Sequence, residues 1–92
     1  MQNFPGYELI EQGLKDISQN KSSIYSALLF SAKTRLGSLG VAVGGIAPAD
    51  PSMELYRLLD IEFGDGAHSK FNALNRRLIS FMKSMEKDQS YA

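Results

Sequence analysis

The chain has 92 residues, with ten Lys and Arg against ten Asp and Glu, one histidine and no cysteine. Zero formal net charge supplies no field toward nucleic acid or an anionic membrane, and the missing cysteines remove disulfides, thiolate catalysis and cysteine-based zinc sites. A single histidine also rules out a histidine-rich metal site within one chain, and the length is that of one helical domain, 1–92, whose modest core would gain from dimerisation.

The opening "MQNFPGYELIEQ" lacks the basic, apolar, small-residue order of a secretory signal and carries Glu8 early, so it is expected to stay in the mature protein. After Pro5, Ile10, Leu14 and Ile17 recur at helical spacing with Leu9 beside them, which predicts a first helix to about Ser18. Gly13 falls on that apolar face, where it lowers helix propensity but lets another backbone approach closely. "SQNKSS" then breaks the pattern and offers Ser22 or Ser23 as an N-cap.

A second helix is expected from Ser23 to about Leu39, with Ile24, Leu28, Ala32, Leu36 and Leu39 on one broad face and Gly40 suited to a left-handed stop. Phe30 points to the opposite side. The connector "GVAVGGIAPADP" is longer than most helix-to-helix loops, and Val41, Val43 and Ile46 are too apolar for a freely solvated linker. It is expected to lie as an ordered loop across the helices or against a partner subunit. The apolar window from Ile24 to Pro48 is interrupted by Lys33 and Arg35 and ends in glycines, which argues against a membrane span.

Asp50-Pro51 pairs an N-cap acceptor with a residue whose fixed φ suits the first helical position, and Glu54 follows near the positive end of the dipole. A third helix therefore starts there and stops at Gly64. The last helix is expected from Ala67 to about Glu86, with Phe71, Leu74, Leu78, Phe81, Met82 and Met85 in one stripe and "KDQSYA" as a frayed polar tail. No run alternates as a strand should. The fold class read from these patterns is all-α, a compact, bundle-like four-helix arrangement with a long Gly-rich apolar connection between its second and third helices.

Polar groups near the apolar faces mark where a site would lie. At about 100° per residue, Glu62 falls on the apolar face of the third helix and Arg35 at the edge of that of the second. An ion pair from Glu62 to Arg35 or Arg76 would resolve the burial cost. In the last helix, His68, Asn72, Asn75 and Arg76 form a hydrogen-bonding row beside the core stripe. With Tyr56, Glu62 and Arg35 as neighbours, this row is the candidate ligand site, suited to a small anionic or polar ligand. Asp65, between two glycines, reads as a cap for the last helix.

Other chemistry finds less footing. Ser69 points about 100° away from His68, so the two do not make a dyad. A lone helical histidine invites comparison with histidine phosphotransfer domains, but their His-x-x-Lys-Gly pattern is missing after His68, and phosphotransfer ranks last. "GSLGVAVGGIAP" matches neither the P-loop nor the strand-framed GxGxxG fingerprint. Arg76 and Arg77 supply local positive charge with Lys70 on the flank, but no aromatic-basic interleaving or helix-turn-helix spacing accompanies them, and zero net charge makes nucleic acid a disfavoured partner. The expected role is that of a cytoplasmic interaction or regulatory protein rather than an enzyme, without cofactor or metal. Its expected partner is a second copy or another protein, with Phe30, Val41, Val43, Ile46 and Ile61 as the candidate interface; a small anionic ligand is the alternative.

Overall fold

The computed structural model describes residues 4–90 and is all-α, with no strand among the described residues. Four helical segments follow in chain order, and the second of them is broken. Helix α1 spans Tyr7–Ser18, α2 Ile24–Ser31, α3 Lys33–Ser38, α4 Pro51–Phe63 and α5 Ala67–Ser90, with a 3-10 turn at Gly64–Gly66. Helix α1 packs on α2, α2 on α4 and α4 on α5.

Helix α2 is the central element. Ser26, Ala27, Leu28 and Leu29 are buried in succession, so this helix presents core contacts around most of its circumference rather than along a single stripe. Each fully buried leucine contributes roughly 1.5–3 kcal/mol relative to an exposed one. Close approach of α1 depends on Gly13: an added Cβ there would stand 2.6 Å from Leu29 Cγ and 3.0 Å from the Tyr25 carbonyl oxygen. The small residue therefore fixes how near the two helices lie.

The expected helix from Ser23 to Leu39 is interrupted at Ala32, whose φ of −115° and ψ of 18° leave the helical region. Just before the break, the Ser31 hydroxyl donates to the Leu28 carbonyl at 2.6 Å, a local bond that competes with the helical ladder and favours a bend. The redirected α3 carries Leu36 into the core, and Leu39 follows it there.

Helix α5 packs on α4 and contributes Leu74, Leu78, Phe81 and Met82 to the core. It continues to Ser90 instead of ending near Glu86, so the expected tail is helical up to that residue; Tyr91 and Ala92 lie outside the described residues. The start of α1 is fastened to it. Phe4 meets Phe81 edge-on with ring centroids 6.2 Å apart, and Glu8 is paired with Arg77. Gly6, at φ 84°, turns the chain where an added Cβ would come within 2.6 Å of the Arg77 carbonyl oxygen.

Two expected terminal devices have different outcomes. Asp50 Oδ1 accepts from the Met53 N–H at 3.1 Å with Pro51 at the first helical position, as the sequence predicts. Asp65 instead lies inside the 3-10 turn that runs directly into α5, and among the described residues its carboxylate accepts no hydrogen bond. With the backbone already helical there, the turn replaces the cap.

Candidate interaction groove

Between α1 and α2 the chain reverses through Asn20, whose φ of 55° is the only positive one at a non-glycine residue among the described residues. Asparagine tolerates this left-handed conformation better than most side chains do. Behind the turn, Asp16 is 2% exposed and accepts hydrogen bonds from Gln12 Nε2 at 2.9 Å and Ser23 Oγ at 2.6 Å. Ser23 Oγ also accepts from the Ser26 N–H at 3.0 Å, while the Ser26 hydroxyl oxygen accepts from the Ser23 N–H at 2.9 Å. These bonds form a capping box tied to a buried carboxylate, which rigidifies the turn.

Two concavities open on either side of this turn. The first, about 290 Å³, lies between the turn, α2, the Gly45–Pro48 part of the connector and α4; Ile17, Ala27, Phe30 and Leu58 give it apolar walls. The second, about 330 Å³, runs along α4 to Ile61 and Glu62 and reaches Gln12, Asp16 and Tyr25 on the other side. Lys21, Ser22, Ser23 and Leu58 line both, so the two are halves of one groove with a shared saddle. Ile46 at one end is 96% exposed and Ile61 at the other 70%.

The electrostatics of the groove are mixed. Glu54 on its wall is chelated by Arg57, whose Nη2 and Nε donate to the two carboxylate oxygens at 2.6 and 3.0 Å. The hydrogen bond from Arg57 holds the Glu54 carboxyl below the usual carboxylate range, and Glu54 in turn raises the Arg57 guanidinium. Lys21 and Glu62 are exposed, and among the described residues neither side chain carries an ion pair or hydrogen bond, although the Lys21 N–H donates to the Asp16 carbonyl at 2.8 Å. The Ser23 hydroxyl already donates to Asp16 and accepts from Ser26, so it is not free to act as a nucleophile. No group of three or more His, Asp or Glu side chains among the described residues gathers as a metal would need.

The residues expected to form sites are scattered relative to this groove. His68, Asn72 and Arg76 are exposed and Asn75 is half-buried, and none of them lines either concavity. Tyr56 packs against Phe71, with centroids 5.6 Å apart. The expected pair between Glu62 and Arg35 or Arg76 is not formed: Arg35 Nη2 and Nε donate to Glu86 Oε1 at 2.7 and 3.2 Å, and Glu62 lies at the solvent edge of α4. Lys70 stands over the Phe63 ring and Arg77 is held by Glu8, so the basic cluster is largely spent within the chain.

Among the candidate interface residues, Val41 and Val43 are buried in the chain's own core, which removes them from any external surface. Phe30 is half-buried and lines the first concavity, while Ile46 and Ile61 stand at the groove's two ends. As groove residues, Lys21, Ser22 and the buried Asp16 escape the sequence reading, which offers Ser22 only as an N-cap. Asp16 had a usable signal, since it lies three residues after Gly13 and seven after Leu9 and thus on their face. Comparison with known proteins returns no match: no family model fits the chain, and no curated protein and no solved structure is significantly similar to it.

Proposed function

We propose that this protein works by association, as an interaction or regulatory module in a cytoplasmic, homodimeric form, and that the groove beside the α1–α2 turn is its contact surface. The observation that carries this reading is the exposure of Ile46 and Ile61 at the two ends of one groove, 96% and 70% respectively. Single exposed apolar residues are ordinary; two of them bracketing a concave, partly apolar surface make a patch that gains by being covered. The neighbouring polar turn is rigid, so little ordering entropy opposes docking there. A small anionic ligand held by the last helix has less support, because His68, Asn72 and Arg76 stand exposed outside both concavities.

Sedimentation equilibrium across micromolar to millimolar protein tests the reading. A concentration-dependent rise from monomer to dimer mass is the expected result, and a monomer at every concentration overturns it.

A further inference from the structure

The groove carries two charges that the chain itself leaves unsatisfied. Lys21 projects from the turn and Glu62 from α4; both line the second concavity, both are exposed, and neither side chain has an ion pair or hydrogen bond among the described residues. The other charged groups nearby are committed, Glu54 to Arg57 and Asp16 to Gln12 and Ser23. Any partner covering this surface takes both lone charges out of water. A partner of one sign satisfies one of them and strands the other, which is costly in a desolvated contact.

A surface with one unpaired cation and one unpaired carboxylate is complementary to itself. In a two-fold contact the same patch is used twice, so a residue at one end meets a residue at the other end of the second copy. Zero net charge means that two copies do not repel at long range. We infer that a second copy of this chain occupies the groove about a two-fold axis that passes between Lys21 and Glu62, in the second concavity, bringing Lys21 of each subunit against Glu62 of the other. This deepens the association reading and rests on it.

Charge exchange tests the pairing. Lys21→Glu and Glu62→Lys each place like charges at both symmetric contacts of a homodimer, and each is expected to raise the dimer dissociation constant by roughly tenfold or more. An equimolar mixture of the two variants restores opposite charges at both contacts of the mixed dimer. One variant is isotopically labelled, and native mass spectrometry and sedimentation velocity are expected to show the mixed dimer in preference to either homodimer, with affinity near that of the unsubstituted chain. Circular dichroism confirms that both variants are folded, as expected for exposed positions. If the unsubstituted chain dimerises and the single variants dimerise equally well, or the mixture fails to recover the dimer, the pairing is overturned while the association reading stands. A chain that never dimerises overturns both.

Discussion

Val43 and Ile46 lie three residues apart in the same connector, and one is 7% exposed while the other is 96% exposed. Val41, at 5%, shares the fate of Val43. Both valines belong to the buried hydrophobic core. Gly45 then takes φ of 80° and turns the chain, so Ile46 leaves the surface its neighbours cover. The difference teaches that an apolar loop is not one object. Its first part completes the core, and its second part is a projection beside a groove.

That contrast can be broken at each point along the connector. Val43→Asp puts a carboxylate without a built partner into the core and should cost about 3 kcal/mol or more in urea unfolding, enough to leave much of a small domain unfolded. Gly45→Ala should cost about 1 kcal/mol, because the new Cβ meets Ile17 Cγ2 at 2.9 Å and a left-handed φ suits glycine. Gly44→Ala is the control: its Cβ enters open space at an ordinary φ, so stability should change by less than about 0.5 kcal/mol. Equal costs at the two glycines would mean that Gly45 does not make the turn.

Local chemistry was the legible part of the fold. Asp50-Pro51, Ser23 and the spacing in α1 announce helix ends and faces through bonds made within a few residues, and the structure keeps them. Gly13 was readable for a related reason: on the apolar face it lets another backbone approach closely, and an added Cβ there would meet the Tyr25 carbonyl oxygen at 3.0 Å and the Leu29 side chain nearer still. The break at Ala32 was not, because Leu36 and Leu39 are apolar at helical spacing whether or not the helix bends before them. Ion-pair partners were also out of reach. Arg35 meets Glu86, 51 positions away, and only the tertiary fold brings them together.

The candidate groove was legible in fragments. Ile46, Ile61 and Phe30 could be named as apolar residues exceeding what a small helical core needs, but Val41 and Val43 share that description and lie inside. Periodicity in a glycine-rich connector does not say where the chain turns. The row from His68 to Arg76 is continuous along one helix and thus conspicuous in sequence, yet a concave surface needs several elements, and here they are the α1–α2 turn, α2, the connector and α4.

The central claim is that the projecting half of the connector serves association and not folding, and Ile46→Ser tests it most directly. Sedimentation equilibrium of this variant beside the unsubstituted chain, with urea unfolding of both at dilute concentration, separates the two roles. The expected result is stability unchanged to within about 0.5 kcal/mol and a dimer dissociation constant raised by roughly tenfold or more. An unaltered dimer, or a loss of stability in the dilute monomer comparable to that of a core substitution, would contradict it.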